Sequence, residues 1–175
     1  MRPLANLAAL LVAILAFATS TPVQAQTCSA SFSSIQFGSV DVLPGAALNS
    51  AGSVVVSCSG ISLATQVIRV CLGLNDGANA SSAPRNMASQ ANRLTYDLYT
   101  DNGKTTRWTS IAAQEPFVDI SLALPSRSLS VYGRIFAAQT SAPVGVYADS
   151  IVPAVRWGLY TLPQLPPSCL QTASR

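Results

Sequence analysis

Apolar and polar residues alternate with a period of two along nearly the whole chain after residue 30. "GSVVVSC" sets Val54, Val56 and Cys58 on one side and Ser53 and Ser57 on the other; "QVIRVCL" sets Ile68, Val70 and Leu72 together, with Gln66, Arg69 and Cys71 on the other face or the rims. "ASFSSIQFG" aligns Ile35 with Phe37, and "RLTYDLY" aligns Leu94, Tyr96 and Leu98. "FVDISLAL" aligns Val118, Ile120, Leu122 and Leu124, and "LSVYGRIFA" aligns Leu129, Val131 and Ile135. Such alternation marks half-buried antiparallel strands. Turn signals separate the runs: "LPGA", "CSG", "NDG", "TDNGK", "LPSRS" and "SAPVG". Asn102-Gly103 predicts a type I′ hairpin turn, and residues 84–93 read as a polar connection. About seven strands at this spacing predict an all-β, antiparallel β-sandwich of the immunoglobulin-like kind.

"VGVYADSIVPAVRW", residues 144–157, reads as the last strand, with Ile151, Pro153, Val155 and Trp157 on one side. Proline in a sheet is confined to edges, strand starts and bulges. The segment from residue 159 to 175 is proline-rich. What pairs with the far side of residues 147–157 is therefore open: a strand from another chain, or "LYTLP" at 159–163 folding back.

The first residues carry a separate pattern. Arg2 precedes the apolar run "LANLAALLVAILAFA", and "TPVQA" ends in a Val-x-Ala site. This predicts a secretory signal peptide over 1–25, cleaved between Ala25 and Gln26. The run falls short of the ~20 apolar residues that span a bilayer, so no membrane anchor is expected after cleavage. The sandwich is expected over 26–158 and a proline-rich tail over 159–175.

Export places Cys28, Cys58, Cys71 and Cys169 in an oxidising compartment. Four cysteines allow three pairings, and spacing alone does not choose. Cys58 shares the core side of Val54 and Val56 and can reach Cys28 at the start of the first strand. Cys71 lies opposite Ile68 and Val70, outward or at a rim, which suits a bridge to Cys169. Zinc is not expected, because the chain lacks histidine and any close cysteine pair.

Catalytic arrangements are scarce. Without histidine no Ser-His-Asp or Cys-His set forms. Glu115 is the only glutamate, and Asp97, Asp119 and Asp149 fall on separate predicted strands, where they read as solvated surface carboxylates. Lys104 sits in a turn, and no glycine-rich phosphate loop occurs. "NAS" at 79–81 fits a glycosylation sequon. The basic residues are scattered, leaving no footprint for nucleic acid. The chain is expected to be a non-enzyme without cofactor or metal.

"IQFGSVDVL" after an early cysteine, then "GSVVVSCSG", "RNMASQANRLTYDLYTDNGKTTRW", "YGRIFAAQ" and "VGVYADSIVPAV" occur in the order found in spore coat protein U domains, which the chain resembles from Cys28 to Trp157. The resemblance implies an incomplete sandwich whose last strand comes from a partner. The expected partners are a periplasmic chaperone, an outer-membrane usher and neighbouring subunits of an archaic chaperone–usher pilus at the cell surface. Its acceptor groove would be lined by Val131, Ile135, Ile151, Pro153 and Val155. The resemblance also implies a Cys28–Cys58 bridge. "VIRVCLGL", with its extra cysteine, resembles the first domain of tip subunits. Cleavage after Ala25 would leave only Gln26 and Thr27 before Cys28, too short for a donor segment, which favours a tip-like acceptor. The alternative is a stand-alone secreted binding or coat domain with a self-completed sandwich.

Overall fold

A computed structural model describes residues 26–41 and 46–170, and the backbone of 173–174. The predicted signal peptide, with Ala25, lies outside the described residues. Among the described residues nine strands follow in order: β1 (Thr27–Phe32), β2 (Leu48–Ser59), β3 (Gln66–Leu74), β4 (Arg85–Ser89), β5 (Asn92–Tyr99), β6 (Phe117–Ser121), β7 (Ser126–Ile135), β8 (Pro153–Thr161) and β9 (Ala173–Ser174). A 3-10 turn, Ala112–Gln114, precedes β6. The strands form two antiparallel sheets, β1-β2-β7-β5-β4 and β6-β3-β8-β9. An all-β two-sheet sandwich is thus the fold.

The core lies where the inner faces meet. Val54 and Val56 of β2, Ile68, Val70 and Leu72 of β3, and Ile120 of β6 are fully buried there. These are alternate residues, as the period-two pattern requires. Trp108 fills one end, its indole N–H donating to the Leu72 carbonyl at 2.7 Å.

Several sequence expectations change. Residues 84–93 form the β4–β5 hairpin around Gln90, which takes a positive φ of 52°. The alternation there is short and polar, which masks the strand in the sequence. In the "TDNGK" turn the positive φ falls on Lys104, and Lys104 N–H bonds to the Asp101 carbonyl, so the turn is not type I′. β6 stops at Ser121, and Leu122 and Leu124 are exposed in the turn that follows.

The last strand is displaced. Residues 144–152 are not a continuous strand; Ala148 makes an isolated bridge with Ala88 of β4 in the five-stranded sheet. The chain then crosses to the other sheet, and Pro153 opens β8 opposite Leu74. Proline belongs at a strand start, where its missing N–H breaks no ladder. β8 continues to Thr161, past the domain boundary drawn at 158, and "LYT" belongs to it rather than to a returning strand.

The outer face of β3 is also covered. Cys71, expected outward or at a rim, is fully buried, because the segment after β8 crosses this face and Cys169 bonds to Cys71. Arg69 donates to both oxygens of Asp119 at 2.8 and 2.7 Å, lies 4.0 Å over the Phe117 ring, and reaches the Pro167 carbonyl.

Candidate functional site

Burial is uneven along the inner faces. It is complete on β2 and β3 but partial along one seam, where β1 ends one sheet and β8 lies near the end of the other. On β1 the inward residues Cys28, Ala30 and Phe32 are half-buried. On β8 Val155 and Trp157 are half-buried against the core, and Leu159 is 39% exposed. Beyond β8 only β9 is hydrogen-bonded, opposite Arg156 and Trp157. The rest of that edge has no strand beside it among the described residues.

One end of this seam opens into a cleft of about 440 Å³. One wall is residues 32–37 and the other residues 147–153, with Leu98 and Val131 beneath. Ile35 and Phe37 reach the interior although the strand stops at Phe32. Two inward-facing glycines make this possible. A Cβ on Gly52 would stand 2.9 Å from Ile35, and one on Gly133 would stand 2.7 Å from Phe37. The segment is fixed by Ser33 N–H to the Ser53 carbonyl at 2.9 Å and by the Ser50 hydroxyl to the Gln36 carbonyl at 2.5 Å.

Apolar side chains line much of the cleft, with Ser33, Ser34 and Gln36 on one wall and a polar pair at the opposite edge. There the Tyr96 hydroxyl donates to Asp149 at 2.7 Å. Burial first, then the bond to Asp149, pushes the Tyr96 phenol far up, so it stays a neutral donor. Asp149 also accepts from the Asn79 amide at 2.9 Å, which occupies the side chain of the "NAS" sequon.

Of the expected groove residues, Val131, Ile151 and Pro153 line the cleft. Ile135 is instead sealed in the core, and Val155 lies along the seam on β8, outside the cleft lining. Phe32, Ile35, Phe37, Met87 and Tyr96 line it as well. Inward glycines on the neighbouring strands β2 and β7, Gly52 and Gly133, were the sequence signal for the wall formed by 33–37.

Four carboxylates are engaged rather than solvated. Asp97 is buried between Arg85 at 2.5 Å and Arg107 at 2.6 Å. Asp119 and Asp149 hold the partners named above, and Glu115 is buried against Arg156. Each of the four has a cation or donor of its own.

The disulfides are Cys28–Cys58 and Cys71–Cys169. Cys28 and Cys58 are directly opposed in the β1–β2 ladder, which staples the seam's first wall to the sheet. A family profile for the Spore Coat Protein U domain matches residues 14–153. The chain belongs to the spore coat protein U domain family. The family is one of structural coat and pilus domains rather than enzymes. A search of curated proteins returns no match. In this spore coat protein U domain the match stops where β8 begins, so Cys169 and β9 lie beyond it. Two disulfides fit an oxidising, extracytoplasmic compartment. No helix of the described residues is long and apolar enough to cross a membrane.

Proposed function

We propose that this spore coat protein U domain is a secreted structural or adhesive subunit of a chaperone–usher pilus, acting in surface attachment or biofilm formation. On this reading its sandwich is immunoglobulin-like and lacks a last strand. A periplasmic chaperone fills the place during passage to the usher, and a neighbouring subunit fills it in the polymer. The observation that carries the reading is the seam: inward apolar residues of β1 and β8 stay half-exposed beside a β8 edge with little of its length paired. A strand laid there would cover Val155, Trp157 and Leu159 and satisfy open backbone groups, the β-augmentation mode of recognition. Each Å² of apolar surface covered contributes roughly 25 cal/mol.

A second reading, a stand-alone coat domain, is favoured by β9, which already pairs with part of this edge. Thermal unfolding of the exported chain, with and without a peptide of alternating valine and threonine, separates the two. A rise in Tm that grows with peptide concentration supports the acceptor reading. A Tm indifferent to peptide and to co-purified chaperone supports the self-completed domain.

A further inference from the structure

β9 touches the molecule at the place a partner strand would need. It pairs antiparallel with β8, Ala173 opposite Trp157 and Ser174 opposite Arg156. Its approach is fixed by covalent chemistry. Cys71 stands beside Arg156 in the β3–β8 ladder, and Cys169 is bonded to Cys71. The tether is therefore level with the β8 residues that β9 covers. Three residues lie between Cys169 and Ala173, and four residue steps at ~3.3 Å each exceed the two strand spacings of ~4.8 Å between β3 and the far edge of β8. The approach to that anchor is held too: Arg69 donates to the Pro167 carbonyl, and the Leu162 N–H bonds to the Thr65 carbonyl.

Two paired residues alone make a weak strand. A short tether changes this, because an intramolecular strand meets the edge at an effective concentration of about millimolar. We propose that β9 is a displaceable latch on the β8 edge, kept in place by the Cys71–Cys169 disulfide, and that an incoming strand must displace it. This rests on the reading of the β8 edge as an acceptor. The latch covers the edge while the chain is unpartnered, as an exposed edge invites unwanted pairing. It yields when a longer strand offers a longer ladder. The disulfide then sets how readily the edge opens: an oxidised chain is latched, and a chain reduced at Cys71 and Cys169 is open.

The test uses the full chain exported to the periplasm so that both disulfides form. Ala173→Pro with Ser174→Pro removes two backbone donors from β9 without touching the sandwich. The probe is a lysine-flanked peptide of alternating valine and threonine, and its association rate is read by stopped-flow tryptophan fluorescence. If the latch covers the edge nine-tenths of the time, the double proline variant associates about tenfold faster. Amide exchange across Arg156–Gly158 also quickens while the Tm holds. Replacing Cys71 and Cys169 by serine gives the same gain, and adding the prolines to that variant gives no more. Equal rates in wild type and proline variant overturn the latch and leave the acceptor reading standing. A peptide that binds neither chain overturns the acceptor reading, and the latch with it.

Discussion

Replacing Arg85 by methionine should destabilise the domain more than any surface change. Its guanidinium is fully buried. It makes five hydrogen bonds: two to the Asn75 carbonyl at 2.9 and 2.6 Å, and one each to Leu74 at 3.2 Å, Trp108 at 2.8 Å and Asp97 at 2.5 Å. Arg85 opens β4 in one sheet, whereas Leu74 ends β3 in the other, so these bonds tie the two sheets at the cleft end. Burial lowers the Arg85 pKa, opposed by the charge of Asp97. Methionine fills the stem's volume but donates nothing. Asp97 keeps Arg107 at 2.6 Å and the Leu98 N–H at 2.9 Å, so the main loss falls on the Asn75, Leu74 and Trp108 carbonyls. Each acceptor left dry costs about 1–3 kcal/mol, giving about 3–9 kcal/mol in all. Against a typical domain stability of ~5–15 kcal/mol this is a large share. Guanidinium unfolding followed by tryptophan fluorescence measures it directly, since Trp108 lies in the same cluster. Arg85→Lys, which keeps the charge but has a single donor atom, should fall between. A loss below about 1 kcal/mol for methionine would refute the clamp, because the carbonyls would then have found other donors.

Three further outcomes follow from other parts of the molecule. Burial raises the Glu115 pKa above its usual 4.5 despite Arg156, so folding takes up a proton; that contribution is complete below 4.5 and is lost as pH rises through the raised folded value. The stability difference between wild type and Glu115→Gln should therefore shrink or reverse from pH 4 to 7, and a flat difference would contradict it. Gly133→Ala should cost about 1–3 kcal/mol by pushing on Phe37, with faster amide exchange at Ser33; unchanged exchange would mean that residues 33–37 do not rest on Gly133. Serine replacement of Cys28 and Cys58, separated by 30 residues, should cost about 3.6 kcal/mol by chain entropy, and of Cys71 and Cys169, separated by 98, about 4.7 kcal/mol; a reversed order in denaturant midpoints would show native-state contacts dominating.

Alternation exposed the central strands to sequence reading, because Val54, Val56, Ile68, Val70 and Leu72 face one dry core and nothing competes with that signal. It failed where a segment serves two sheets. Residues 144–152 alternate because Ala148 bridges β4 while Tyr147 and Ile151 turn inward, yet the strand proper starts at Pro153. The buried ion pairs were illegible for a different reason: Arg85, Asp97, Glu115 and Arg156 look like surface residues until the topology brings each cation to its carboxylate. Cys71 looked outward because a strand's pattern does not reveal what crosses its other face. The walls of the cleft follow the same logic. Val131, Ile151 and Pro153 were readable from β7 and the last alternating segment, whereas Ile35 and Phe37 depend on the space left by Gly52 and Gly133.

The claim that the β8 edge accepts a strand from another chain is tested most directly by amide hydrogen exchange of the exported chain with and without the valine–threonine peptide. Protection should rise at those β8 amides between Val155 and Leu159 that point away from β3, and at β1 amides that point away from β2, while exchange in β4 and β5 stays unchanged. Saturating peptide that leaves every β8 amide at its original rate would contradict the account.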